Sequence, residues 1–374
     1  MSKIISIGTA VPRHRHEQSR ILQFMQQVFA MDETENRKLK FLYNRSGIDT
    51  RYSVIRDYSR PLHEWRFYPQ SENLEPFPSL EQRMTYFNKY AAPLSVDAIR
   101  NCLDGKMHDH SITHIITVSC TGMSAPGLDL QVMELMDLPK NIYRTSVNFM
   151  GCYAAIHALK MADAICKTES HAKVMIVCTE LCTLHFQREP TQDNIASSLL
   201  FGDGSAAALV VSEDEARPGL RLDSFYSEVV PKGKKDMAWE LSSTGFLMTL
   251  SGYVPELLEE DFEPLVSRAL QYANTAKNDI AHWCVHPGGK RILESIHKSL
   301  GLHNGELQPS YDVLQKFGNM SSPTILFVLK DILHQLSIGN AQNNKAMRDG
   351  HSPQKVLGAA FGPGLTMETF VASY

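Results

Sequence analysis

No Cys-x-x-Cys pair occurs among the seven cysteines, at 102, 120, 152, 166, 178, 182 and 284. Neither a zinc ribbon nor a thioredoxin-type pair is therefore expected. An odd number at irregular spacing fits free thiols in a reducing compartment. A basic excess is also missing: 37 Lys and Arg face 41 Asp and Glu, a net charge of -4. That balance argues against nucleic acid as a partner. No stretch reaches about 18 uncharged apolar residues, so no membrane span is expected. Residues 1–12 have neither a basic n-region nor a long enough apolar h-region for a signal peptide, and end their apolar run at a Gly8-Thr9 turn. The expected location is cytoplasmic. Short repeats and low-complexity segments are absent. Phe201-Gly202-Asp203-Gly204 has no Lys-Ser/Thr after it, so it is a turn rather than a phosphate loop. His108, His110 and His114 lack a metal-ligand partner spacing and are read as a solvated loop.

The chain has 374 residues, 43% hydrophobic and 21% charged, which is ordinary globular composition. Such a chain can bury a large core without disulfides or metals. Helical spacing marks roughly 17–30 and 81–103. The proline-containing stretch 56–80 is expected to be an ordered surface excursion. From there strands at 112–119, 145–149, 172–179 and 206–211 alternate with helices at 128–138 and 153–167. The second half repeats the rhythm: helices at 259–273, 291–300 and 323–336, strands at 281–285, 355–361 and 366–373. Alternation of this kind predicts layered α/β. A seam is expected around 212–235, dividing the chain into halves at 1–218 and 219–374.

Chemistry concentrates in four segments. In Asn148-Phe149-Met150-Gly151-Cys152-Tyr153-Ala154-Ala155 a strand ends, a glycine turns the chain and a cysteine opens a helix of small residues. A helix N-terminus favours thiolate; equally, a free cysteine can be just a small buried residue. His286-Pro287-Gly288-Gly289 presents a histidine from a tight loop after a strand. A Cys–His pair is a common way to activate sulfur, although a lone histidine is more often a satisfied core group. In Gly318-Asn319-Met320-Ser321-Ser322-Pro323, Ser322 reads as an N-cap with Pro323 in the first turn. Asn319 lies outside that explanation, and its amide can donate to a developing enolate oxygen. Phe361-Gly362-Pro363-Gly364-Leu365-Thr366 is a shaped, rigid loop, or simply a turn between closing strands.

These four motifs, in this order and over nearly the whole chain, closely resemble the type III polyketide synthases, the chalcone and stilbene synthase family, and its bacterial branch in particular. The resemblance implies a thiolase-like, five-layered αβαβα fold of two duplicated halves, working as a homodimer. It implies Cys152 as the nucleophile carrying starter and growing chain, with His286 and Asn319 completing the triad. The substrates implied are malonyl-CoA and an acyl-CoA starter, with no metal, flavin, nicotinamide or carrier protein. Phe201 matches an aromatic gatekeeper. Lys38, Lys40 and Arg45 fall where the family holds CoA phosphates, Arg45 matching best; Gly288 is grouped with them, and Ser321, Gly362 and Pro363 with the cavity. A solvated helix face would equally explain Lys38 and Lys40.

Departures from the plant pattern point away from a bulky aromatic starter. Met248 stands near a second gatekeeper that is usually Phe. Cys120, Cys182 and His185 stand where plant cavities commonly have Thr, Trp239 replaces a small residue, and Ala360 replaces a glycine. Expected products are pyrones, resorcinols, phloroglucinols or naphthalenes. A β-ketoacyl synthase III-like condensing enzyme and a non-catalytic acyl-binding homologue are the alternatives. Lowering of the Cys152 pKa by the helix terminus and His286 is a further expectation.

Overall fold

The computed structural model describes residues 1–71, 73–105, 108–233, 235–343 and 353–374, side chains excepted at 232 and 339–343. The first half runs β1 (Ser2–Ala10), β2 (His14–Glu17), α1 (Gln18–Phe29), α2 (Glu33–Arg45), β3 (Thr50–Ser53), α3 (Leu80–Leu103) and β4 (His114–Ser119). It continues through α4 (Leu128–Leu135), β5 (Tyr143–Asn148), α5 (Ala154–Thr168), β6 (Lys173–Leu181), α6 (Gln192–Leu200) and β7 (Asp203–Ser212). The second runs β8 (Leu220–Val229), β9 (Met237–Ser242), β10 (Gly245–Leu250), α7 (Val254–Tyr272), β11 (Ile280–Val285), α8 (Lys290–Leu300) and α9 (Gln308–Phe317). α10 (Thr324–Asn343), β12 (Lys355–Gly362) and β13 (Thr366–Ser373) close the chain.

Alternation along the central strands builds the layers. In β6, Met175 and Val177 face an outer core with α1, α3 and α4, while Val174, Ile176 and Cys178 face inward. In β12, Leu357, Ala359 and Phe361 meet α7 and α8, while Val356 and Ala360 face inward. Successive strand residues point to opposite faces, and here both faces are covered, so these strands read as continuous apolar runs. α5 and α10 lie between the inner faces, sharing one core with strands of both halves. The layers are thus helix, sheet, helix, sheet, helix: the thiolase-like arrangement.

The duplication is legible in the strand senses. β4 is parallel to β6, which is antiparallel to β7, which is antiparallel to β1. β11 is likewise parallel to β12, then β13 and β8 follow antiparallel. α5 precedes β6 as α10 precedes β12, so α5 and α10 are counterparts. The halves join where Ser2–Ile4 of β1 pair with Leu220–Leu222 of β8, giving one nine-stranded sheet.

Two expectations are corrected. The Gly8-Thr9 turn is strand: β1 continues to Ala10, and Gly8 is needed because a Cβ there would lie 2.1 Å from the Cys102 nitrogen on α3. The stretch 56–80 is no surface excursion. Trp65, Phe67 and Tyr68 are buried in the outer core. Asp57 anchors their turn by accepting the amides of Arg66, Phe67 and Tyr68. The expected seam opens on the 213–219 connection between β7 and β8, and the residues after it form β8, an interior strand of the sheet.

Candidate active site

The nucleophile loop is strained into shape. β5 ends at Asn148, Phe149 takes φ +57° and Gly151 φ +79°. Left-handed φ suits glycine, and a Cβ at Gly151 would lie 2.3 Å from Pro363 Cδ. Cys152 follows in a single 3-10 turn that leads into α5. The counterpart loop before α10 has the same character, with Gly318 at φ +69° and Ser321 at φ +59°. Both central helices therefore turn their N-termini, and their partial positive charge, toward one place.

The two loops touch there. Cys152 Sγ donates to Ser321 Oγ at 3.5 Å, and the Ser321 amide donates to Asn319 Oδ1 at 2.8 Å. Asn319 Nδ2 donates to the Gly288 carbonyl at 3.3 Å, a long bond, and the Asn319 side chain also hydrogen-bonds Cys152. The Asn319 amide donates to the Leu200 carbonyl, and Asn319 returns its own carbonyl to Gly202, which fixes Phe201 beside it. The Arg51 guanidinium adds a 2.6 Å bond to the Phe201 carbonyl. His286 extends the β11–β12 ladder by donating its amide to Ala359. Its ring sits edge-on to Phe361, and neither ring nitrogen has a hydrogen-bond partner.

Burial governs the charges. It pushes the Cys152 thiol up to about 11 and the His286 imidazolium down to about 3. The resting site is therefore a neutral thiol with a neutral imidazole. The expected lowering of the Cys152 pKa is not found, because desolvation outweighs the hydrogen bonds and the helix terminus.

Cys152, His286 and Asn319 line one cavity of about 1170 Å³, mouth included. Phe201, Met248, Cys120, Cys182, His185, Trp239, Ser321, Pro363 and Gly288 line it too. Gly362 does not. It lies beneath the nucleophile, where a Cβ would come 2.9 Å from the Tyr153 ring and 3.2 Å from the Cys152 amide. Lys38, Lys40 and Arg45 are exposed on α2, outside the cavity lining. The Ser322 N-cap is also corrected: its hydroxyl donates to Glu180 at 2.7 Å. His114 is buried in β4, stacked on Tyr143, rather than part of a solvated loop.

One wall is a rigid aromatic block. Trp239 and Met248 face each other across the β9–β10 hairpin. The Trp239 indole donates to the Cys120 carbonyl at 2.7 Å. His185 stacks on Phe246 at 4.2 Å, donates through Nε2 to the Thr121 carbonyl and accepts the Phe246 amide at Nδ1. Cys120 Sγ accepts the Gly151 amide at 3.0 Å. The lining also includes Cys182, Ile21 and Met25 of α1, Tyr58 and Phe186.

Sequence reasoning passed over Glu180. This buried carboxyl accepts from Ser119, Cys120, Thr121 and Ser322, joining the Cys120 and Ser322 loops. Burial raises it to about 7. Four donors onto one carboxyl cannot be read from spacing, since they come from β4, its following turn and the loop before α10. Phe246 and Arg51 were also missed; each looks in sequence like an ordinary strand or surface residue. No group of three metal-ligating side chains occurs among the described residues.

The sequence pattern of chalcone and stilbene synthases, N-terminal domain, matches residues 1–214, and that of their C-terminal domain matches 221–373. The chain is 29% identical to the "alpha-pyrone synthesis polyketide synthase-like Pks18" of Mycobacterium tuberculosis, over 98% of this chain and 89% of that one. It is 29% identical to a "putative chalcone synthase" of Bacillus subtilis, over 100% and 99%. It is also 29% identical to a "probable polyketide synthase 1" of Dictyostelium discoideum, of whose length it spans 11%. The structure matches that of PKS-I from the brown alga Ectocarpus siliculosus with TM-score 0.92 at 25% identity, over 100% of this chain and 98% of that one. For the C-terminal type III polyketide synthase domain of Dictyostelium Steely1 the values are 0.86 and 27%, over 100% and 99%. With both domain patterns and the thiolase-like layers in place, this chain belongs to the chalcone and stilbene synthase family, the type III polyketide synthases.

Proposed function

We propose that the protein loads an acyl-CoA starter on Cys152 and extends it with malonyl-CoA by decarboxylative Claisen condensation. The observation that carries this is the convergence of Cys152, His286 and Asn319 on one buried cavity. His286, neutral and unpartnered, takes the thiol proton as sulfur attacks the starter thioester, then returns it to the departing CoA thiolate. Malonyl-CoA next loses CO2. The enolate oxygen left on its thioester is held by a ring N–H of His286 and an N–H of the Asn319 amide. The enolate carbon attacks the Cys152 thioester carbonyl, forming the C–C bond and releasing the thiolate.

The cavity lining supports a linear acyl starter: it combines the locked Trp239 block with apolar Ile21, Met25 and Phe186. Release as a pyrone, resorcinol, phloroglucinol or naphthalene-type product completes the reading. The reaction calls on no cofactor beyond the CoA thioesters, and the protein is taken as a cytoplasmic homodimer with Lys38, Lys40 and Arg45 as contacts for CoA phosphates. No helix among the described residues is long and apolar enough to cross a membrane. Incubation with malonyl-CoA and acyl-CoAs of graded length, followed by mass spectrometry, tests the proposal. Condensation products that lengthen with the starter support it, and malonyl-CoA left intact with every starter refutes it.

A further inference from the structure

Two elements beside the cavity, α2 and the β9–β10 hairpin, carry exposed large apolar side chains. On α2, Leu39 and Tyr43 are buried, and the Tyr43 hydroxyl meets Ser198 of α6 at 3.1 Å. The opposite side of α2 exposes Phe41 (59%) and Leu42 (43%). Lys38, Lys40 and Arg45 are exposed among them, and the Arg45 guanidinium lies 5.3 Å over the Phe41 ring. α6 packs against both α2 and β10. On the β9–β10 hairpin Trp239 and Met248 face the cavity; Leu247 lies on the opposite face, paired with Glu240, and is exposed, while Leu241 (65%) is exposed at the turn end of the Trp239 face, with Tyr253 just beyond the hairpin. The acidic Glu33 and Glu35 are confined to the first turn of α2, where Glu33 takes Arg37 at 3.8 Å. Glu240 sits on the hairpin.

We infer that this face is an interfacial docking surface for an anionic lipid membrane, with Phe41 and Leu42 entering the head-group boundary among the α2 cations. An amphipathic helix that pairs lysine and arginine with phenylalanine and leucine binds such an interface by both effects at once. A partner held by charge alone would engage the cations but leave the exposed Phe41 and Leu42 among them without a role. The inference concerns location and stands apart from the reaction proposed above.

The test uses the full chain and sedimentation with vesicles of phosphatidylcholine alone or mixed with phosphatidylglycerol. The protein should sediment with the mixed vesicles, less so at high salt, and weakly with phosphatidylcholine alone. Because Lys38, Lys40 and Arg45 are also proposed CoA contacts, the variant is confined to apolar positions. Phe41→Ser with Leu42→Ser should weaken vesicle binding by about tenfold or more, with malonyl-CoA decarboxylation in vesicle-free solution unchanged. Three outcomes would overturn the inference. One is failure to sediment with the mixed vesicles. Another is equal sedimentation of the double variant. The third is a changed oligomeric mass in the double variant, which would assign the face to a second copy of this chain.

Discussion

At Cys152 two effects oppose one another. The N-terminus of α5 favours a thiolate, and removal from water disfavours it, with the thiol displaced upward to about 11. Iodoacetamide inactivation of the free enzyme should therefore keep accelerating through pH 9 instead of levelling near neutrality. A plateau below the ordinary thiol range would restore the ion-pair picture. Cys152→Ala should abolish acyl-enzyme labelling and chain extension while decarboxylation persists, since His286 and Asn319 remain. Labelled starter that stays on this variant after denaturation would reassign the nucleophile. Asn319→Ala should slow decarboxylation and extension together by about 100-fold or more, with starter loading retained. Loading measured by intact-protein mass separates that loss from misfolding.

At the scale of elements, the β9–β10 hairpin sets the shape of the cavity. Trp239→Gly removes the indole and its bond to the Cys120 carbonyl, so longer starters should be accepted or longer products released. An unchanged product spectrum from a normally folded variant would show that Trp239 does not limit the chain. The sequence made the catalytic loops legible because each is bounded by a strand and a helix with Gly or Pro at the turn. β9 was legible and passed over: Met237, Trp239 and Leu241 alternate with Ala238, Glu240 and Ser242, but over only six residues. β8 was hidden for a different reason: Glu213 through Gly219 resemble a linker, yet the next residues enter the sheet. The 56–80 stretch misled because prolines mark irregular backbone without saying which way its aromatic side chains point. Thiol acidity was the largest error, because helix position is visible in a sequence and depth of burial is not.

For the whole molecule, buried titratable groups set the acid limit. His16, His185 and His286 are held neutral, with values near 4, 3 and 3. The unfolded chain binds protons at these positions from pH 6.5 downward and the native protein does not, so each costs about 1.4 kcal/mol per pH unit on acidification. Glu180 and Asp203 act in the opposite sense. Raised to about 7 and about 6, they hold protons that the unfolded chain has lost, and add stability as pH falls toward their unfolded values. Three losses against two gains predict a shallow decline between pH 6 and about 4.5, then a steeper one as the carboxyl contribution saturates. Urea unfolding midpoints across that range check this. A midpoint that rises steadily down to pH 4 would contradict it.

Trp65 and Trp283 are sealed in separate cores at 3% and 2% exposure. Trp239 is only half-buried and lies against the thiol-lined wall of the cavity. The protein thus carries its own optical reporter. A chain entering past Cys182 would displace water from one indole and leave the other two as a constant background. Intrinsic emission could then time starter arrival and product departure separately, without a label and on the unmodified enzyme.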